Sequence, residues 1–284
     1  MLPPSKTPFG AALGIAAALL VLAACSGSET PAAVTTSTAT PSQPPVSTTP
    51  PRADVVAAPD RGVCYDLTYE AAIAPTATGK PVSCKTRHSA ETYAVGTIAN
   101  LVDGHLLAVD SQRVQEQVAR SCPARLGKAV GGSAEDLRLS MLRAVWFTPT
   151  VAESDSGADW FRCDLVALAG EEDLAPVKGS LLGVLDDAAG RDAFGMCGTA
   201  GPDDPAFERV PCRAGHSWRA FSVIEVPGRD YPGRGAITDA GEQPCKDGAG
   251  DLADDPLDFE WGFEGPDKSQ WDAGQTFVRC WAPD

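Results

Sequence analysis

An internal repeat marked by cysteines is the feature that most constrains how this chain can fold. Residues 82–98 and 210–226 align without a gap at an offset of 128, and each begins with the pattern V-x-C-x3-H-S. An apolar stretch of strand composition follows in both segments. Further cysteines recur in the same order around both of them. The sequence therefore predicts two copies of one domain.

The N-terminal residues have the layout of an export signal. Residues 1–24 carry one basic side chain followed by an apolar run. The run ends in Leu-Ala-Ala-Cys25, which resembles the bacterial lipobox, whose cysteine is acylated and becomes the first residue of the mature protein. An ordinary cleaved signal followed by a chance cysteine is the alternative. We expect residues 1–24 to be a signal peptide and the lipid on Cys25 to hold the protein on the outer face of the cell membrane.

A segment rich in serine, threonine and proline follows the lipobox. Residues 25–57 contain almost no large apolar side chains, so burial cannot offset the entropy lost on ordering them. Prolines also favour an extended backbone. We predict that this segment tethers the folded part to the membrane.

Eight cysteines remain besides Cys25, and an even number in an exported chain favours disulfides. If each copy folds by itself, three pairings are possible in each copy, and the sequence does not choose among them. Pairing of neighbours is the simplest expectation. It gives Cys64–Cys84, Cys122–Cys163, Cys197–Cys212 and Cys245–Cys280.

The secondary-structure signals fit an α+β protein of two tandem disulfide-stapled domains, each a small, mostly antiparallel sheet with one helix. The expected bounds are 58–184 for the first domain and 185–284 for the second, diverged copy. Strand composition is found at residues 93–95, 142–147, 160–168, 221–224 and 275–281.

The helix signals differ between the copies. In the first copy, Val114, Val118 and Cys122 are four residues apart on one predicted helix face, and Pro123 should end or kink that helix. In the second copy, residues 241–255 are a weaker helix candidate at the same place, because they carry several glycines and acids, and they are expected to be mostly loop.

Charge and motifs exclude several functions. The formal net charge of −15 argues against a nucleic-acid partner, since like charges repel phosphate. The sequence has no G-x-S-x-G, H-E-x-x-H or C-x-x-C motif and no phosphate-binding glycine loop. We therefore predict that the protein is not an enzyme and needs no cofactor.

The first copy resembles the septum-formation domain family of exported actinobacterial proteins. The matching features are Cys64, the V-x-C-x3-H strand with the following E-T-Y-A-V, Cys122, Trp146 and the final W-F-R-C at 160–163. The resemblance covers residues 61–169 well and 194–282 more loosely. It implies a link with the division septum or the cell envelope and brings no established chemistry. The second copy departs from the pattern because Arg219 replaces Glu91.

The duplicated histidines allow two interpretations. Each C-x3-H pair offers two zinc ligands, but zinc needs free thiolates, so we predict disulfides and no metal. His88 and His216 either hydrogen-bond the turn that enters the following strand or contact a ligand. The structural role is favoured, because a duplicated fold repeats its structural residues, and His88, Glu91 and His216 remain candidate ligand contacts. An exposed Trp218 or Trp281 could bind sugar or peptide.

Two functional hypotheses follow from the sequence. The first is a non-enzymatic, membrane-anchored binding or scaffold module that contacts an unidentified envelope protein or cell-wall ligand. The alternative is an envelope enzyme or metal-binding protein in which His88, Glu91 and His216 form a cluster between the copies.

Overall fold

The structure is a computed structural model and describes residues 56–284. The predicted signal peptide, Cys25 and nearly all of the predicted tether lie outside the described residues. The strands are β1 Cys64–Tyr65, β2 Pro81–Val82, β3 Ala90–Thr97, β4 Leu101–Val102, β5 His105–Leu106, β6 Leu142–Phe147, β7 Trp160–Ala167, β8 Met196–Gly198, β9 Arg209–Pro211, β10 Trp218–Glu225, β11 Gly262–Glu264 and β12 Phe277–Pro283. The helices are α1 Tyr69–Ile73, α2 Gln112–Val130, α3 Ala134–Arg138, α4 Val151–Asp155, α5 Ala188–Phe194, α6 Arg234–Leu252 and α7 Lys268–Asp272.

Two antiparallel five-stranded sheets share one topology. Their strand orders are β2-β1-β3-β7-β6 and β9-β8-β10-β12-β11, while β4 and β5 form a separate hairpin. The registers also match, since Cys64 lies opposite Glu91 in the first sheet and Cys197 lies opposite Arg219 in the second. Both long central strands, β3 and β10, carry a bulge at the equivalent position. The α+β architecture and the duplication predicted from the sequence are confirmed.

All eight cysteines of the described chain form disulfides between neighbours. Cys122–Cys163 joins α2 to β7, and Cys245–Cys280 joins α6 to β12 in the same way. Cys64–Cys84 and Cys197–Cys212 close the β1–β2 and β8–β9 segments. Each domain thus has one long helix held against its sheet by a disulfide.

Pro123 does not end the first long helix, which was one of the two predicted outcomes, and the kink stays a prediction. α2 continues seven residues beyond Pro123, to Val130. Its buried face extends past the proline through Leu126 and Val130, and the disulfide of Cys122 fixes the helix beside it. Packing on this face outweighs the one backbone hydrogen bond that proline removes.

The expectation of a loop at 241–255 was also wrong, because α6 covers most of it. Two of the glycines lie where this helix approaches the sheet. A Cβ atom on Gly241 would lie 2.7 Å from a Val278 side-chain carbon, and one on Gly248 would lie 2.9 Å from Phe221. These glycines allow the close helix–sheet contact that the disulfide of Cys245 holds.

The tryptophans differ from expectation at two positions. Trp281 is fully buried, so it is not an exposed binding residue. Trp146 lies 17 residues before Cys163 and Trp261 lies 19 residues before Cys280, which predicts that the two are equivalent. That prediction was wrong, because Trp146 lies opposite Cys163 whereas Phe263 lies opposite Cys280.

The two domains share a core and a backbone junction. Met141 from the first domain packs with Met196, Ala220 and Trp281 from the second. Next to this cluster, the Met141 N–H donates to the Phe194 carbonyl at 2.8 Å, and the Met196 N–H donates to the Leu139 carbonyl at 2.7 Å. Within residues 56–284, no helix is long and apolar enough to cross a membrane.

Candidate functional site

His88 is fully buried at the entry of β3. Its Nδ1 lies 2.9 Å from the Thr86 carbonyl oxygen, which requires that Nδ1 carries the proton. Its backbone also exchanges two hydrogen bonds with Val177, at 3.1 and 2.9 Å. Nε2 is buried with no partner among the described residues. The ring therefore braces the turn before β3 and is closed to solvent.

Glu91 binds the same returning segment three residues later. This carboxylate is 2 % exposed and accepts from the Ser180 hydroxyl at 2.8 Å and from the Leu181 N–H at 2.6 Å. Together with His88, it fixes the chain that leaves β7 and leads to the second domain.

In the second domain, the residues equivalent to His88 and Glu91 are His216 and Arg219, and both contact Asp284, which follows β12. His216 Nδ1 lies 2.8 Å from the Ala214 carbonyl oxygen, and its Nε2 lies 3.0 Å from Asp284 Oδ2. Arg219, which replaces Glu91, donates from Nε to the same Asp284 oxygen at 2.6 Å. The hydrogen bond from Arg219 holds the pKa of Asp284 below its usual value. In both domains, the V-x-C-x3-H-S strand thus holds the segment that follows the last strand of its sheet.

The structure does not bring His88, Glu91 and His216 into one cluster. Potential metal ligands in the described chain converge at two places, Cys64–Cys84–Glu91 and Cys197–His216–Asp284, and each lies within one domain. The cysteines of both groups are in disulfides, so neither group offers a free thiolate. Both rings hydrogen-bond the entering turn, as the structural interpretation requires, and a contact with a ligand stays a prediction.

A buried ion pair lies in the first sheet on the face away from α2. Arg162 Nη2 is 2.9 Å from Asp164 Oδ2, outside hydrogen-bond geometry, and both side chains are at most 3 % exposed. The Arg162 guanidinium lies between the rings of Tyr65 and Phe147, 3.9 and 4.6 Å from their centroids. Burial raises the pKa of Asp164 to about 6, although Arg162 and a 2.7 Å hydrogen bond from the Thr92 hydroxyl act against that rise. This cluster is closed to ligands and belongs to the core.

A polar cavity of about 350 Å³ lies where the two domains meet. Two ion pairs border it, Arg191 with Asp136 at 3.6 Å and Arg219 with Asp192 at 2.9 Å. Each charge of these two pairs is thus matched by an opposite one.

An apolar groove of about 340 Å³ opens between α1 and β6 of the first domain. Its lining residues are Ala72, Ile73, Ala74, Pro75, Gln115, Ala144, Val145 and Trp146. Ile73 is 61 % exposed, and Trp146 is half-buried at the sheet edge formed by β6. Sequence reasoning missed this groove, because a helix of five residues gives no periodic signal.

Comparison with known proteins gives one match. The sequence model of a family described as septum formation matches residues 33–154 and 110–280, which are two overlapping copies. No curated protein and no solved structure matches the chain. The two matches include the cysteine framework and both V-x-C-x3-H-S strands. The chain therefore belongs to the septum formation family.

Proposed function

We propose that this protein is a non-enzymatic binding module of the cell envelope that is anchored to the membrane through Cys25 and acts in septum formation. The observation that carries the proposal is the open apolar groove between α1 and β6, on a body stapled by four disulfides. Disulfides persist in oxidising compartments outside the cytosol. Family membership supports the link with septum formation.

The groove has the composition of a protein-binding pocket. Ile73 and Trp146 present aliphatic and aromatic surface, and Gln115 adds a polar side chain to the lining. Binding energy at interfaces is concentrated in such apolar pockets with a few polar groups around them. A partner that inserts an apolar side chain would bury the surface that Ile73 now exposes to water.

The anchor is tested by a Cys25→Ser variant of the full-length protein in its native host. We expect the wild-type protein in the membrane fraction and the variant to lose its lipid and its membrane association. If the variant stays in the membrane fraction at the wild-type level, the anchor is not at Cys25.

The groove is tested separately with Ile73→Asp, which places a charge on the proposed contact surface. Leu257→Asp is the matched control, since Leu257 is 96 % exposed and lies in the second domain. Imaging of tagged full-length proteins should show loss of septal enrichment for Ile73→Asp only. Equal enrichment of both variants would rule out the groove as the contact surface.

A further inference from the structure

Four arginines converge at the junction of the two domains. The guanidinium groups of Arg138 and Arg279 lie 4.5 and 5.0 Å from the ring centroid of Phe277. Arg279 Nε also donates to the Arg138 carbonyl oxygen at 3.1 Å. The last strand of the second domain and the α3 helix of the first are thus joined around one aromatic ring.

Arg209 and Arg143 complete the group, which we call the arginine seam (Arg138, Arg143, Arg209 and Arg279). Arg209 binds Glu264 through two nitrogens, and Glu264 lies opposite Arg279 in the β11–β12 ladder. Arg143 Nη1 donates to the Ser140 and Leu142 carbonyl oxygens at 2.9 and 2.7 Å.

The seam holds more positive than negative charge. Arg138 pairs with Glu225, and Arg209 pairs with Glu264. Within the described chain, neither Arg143 nor Arg279 forms an ion pair with a carboxylate, so four guanidiniums face two carboxylates. This excess of two positive charges stands in a chain whose formal net charge is −15.

Burial makes this excess costly. Arg279 is 7 % exposed. Its pKa falls to about 10, first because it is buried and then because Arg143 lies close by. The pKa of Arg143 falls to about 10 for the same reason, burial followed by the charge of Arg209. The seam remains open to solvent at the side chains of Arg138 and Arg209, which are 29 % and 33 % exposed.

The equivalent arginine of the first domain has a structural role and a carboxylate partner. Arg162 occupies the position equivalent to Arg279, directly before the final cysteine, and Asp164 neutralises it two residues later. In the second domain, the residue after the final cysteine is Trp281, at the position equivalent to Asp164, so Arg279 has no such carboxylate on its own strand. Arg279 therefore keeps a charge that the fold does not neutralise on its own strand.

We propose that the arginine seam binds a phosphate group. A phosphate dianion matches an excess of two positive charges, and its oxygens accept paired N–H bonds from the planar guanidinium. The source is either free phosphate or a phosphate ester such as a lipid headgroup. This assignment is independent of the anchor and of the groove between α1 and β6.

The test is titration calorimetry of the purified full-length protein with inorganic phosphate, glycerol 3-phosphate and citrate at constant ionic strength. Arg143→Gln and Arg279→Gln remove one seam charge each, and Arg120→Gln is the control, because Arg120 lies on α2 with a side chain that is 71 % exposed. We expect one phosphate per chain, at least tenfold weaker binding in each seam variant and unchanged binding in the control. Circular dichroism shows whether each variant folds. If Arg279→Gln does not fold, Arg143→Gln with a near-wild-type spectrum still tests the proposal.

Each outcome bears on the proposal. Tighter binding of inorganic phosphate identifies free phosphate as the ligand, and tighter binding of glycerol 3-phosphate identifies an ester. Absence of binding at 10 mM phosphate, which would fill a site with a Kd of about 1 mM to roughly 90 %, would overturn the proposal. Equal binding by the control and seam variants, or binding of citrate as tight as that of phosphate, would overturn it as well.

Discussion

The buried Arg162–Asp164 pair makes a demanding prediction about stability. Replacing Arg162 by Met keeps a long apolar side chain between Tyr65 and Phe147 but leaves Asp164 without its countercharge. Breaking a buried pair on one side costs about 3–5 kcal/mol, because the remaining partner must either stay charged in the core or take up a proton. We expect Arg162→Met to lower the free energy of unfolding by about that amount, out of a typical ~5–15 kcal/mol.

Removing every polar member of the cluster should restore much of the loss. In the triple variant Arg162→Met, Asp164→Leu and Thr92→Val, this cluster keeps no buried charge and no hydroxyl without its acceptor. Apolar replacements of buried ion pairs are often neutral or stabilising. We therefore expect the triple variant to be within about 2 kcal/mol of the wild-type protein.

Urea unfolding under non-reducing conditions measures these differences. Tryptophan fluorescence and far-UV circular dichroism should give coincident transitions, because the core around Met141 and Trp281 joins the two domains. Arg120→Met is the exposed control and should change stability by less than about 0.5 kcal/mol. A loss below about 1 kcal/mol in Arg162→Met, or a triple variant as unstable as the single one, would refute the reasoning.

Three further predictions concern the same fold. First, burial raises the pKa of Asp164 to about 6, so between about pH 4 and about pH 6 the folded chain binds a proton that the unfolded chain has released. The contribution of this group to the free energy of unfolding should fall by on the order of 3 kcal/mol as the pH rises through that window, and Asp164→Asn should lack this component in urea unfolding at a series of pH values. Second, Glu91→Ala leaves the buried Leu181 N–H without an acceptor and should cost about 2–3 kcal/mol, with faster amide exchange at Leu181, whereas unchanged exchange there would contradict the bracing role. Third, Gly241→Ala should lower the free energy of unfolding by about 1–3 kcal/mol, because its Cβ meets Val278. Gly235→Ala, where the Cβ meets open space in the same helix, should leave stability unchanged or raise it by up to about 1 kcal/mol, and equal melting temperatures for the two variants would argue against close packing of α6.

Much of the fold could be predicted from the sequence, because the two copies of the repeat can be compared with each other. A cysteine, a histidine and a strand that recur at one offset identify equivalent positions without any relative. The strand at 142–147 coincides with β6, and that at 160–168 differs from β7 by one residue. The sequence left three cysteine pairings open in each copy, and the structure has the simplest of them, between neighbours.

The second long helix could not be predicted, because its stability is tertiary. Helix propensity is a local quantity, and glycines lower it. In α6 the same glycines let the backbone approach Val278 and Phe221, and the disulfide to Cys280 holds it there. A prediction from residues 241–255 alone includes the low helix propensity of these glycines. It does not include the close packing on the sheet or the disulfide.

The roles at the candidate site were predictable in kind but not in partner. A polar residue that is repeated at the entry of a strand favours a hydrogen bond to the turn, and both histidines make one. The contacts of Glu91 with Ser180 and of His216 with Asp284 join residues 89 and 68 positions apart. No spacing rule reaches that far, so these contacts required the structure.

Duplication explains why equivalent arginines have different surroundings. In the first domain, Arg162 is enclosed by aromatic rings and neutralised by Asp164, which makes it a part of the core. In the second domain, Glu264 is the cross-strand neighbour of Arg279 but binds Arg209, and Trp281 faces the core that both domains share. The Arg162–Asp164 pair lies entirely within the first domain. The group around Arg279 lies at the interface and contains arginines from both domains. The charge excess at the junction is thus a property of the pair of domains, and neither copy contains it alone.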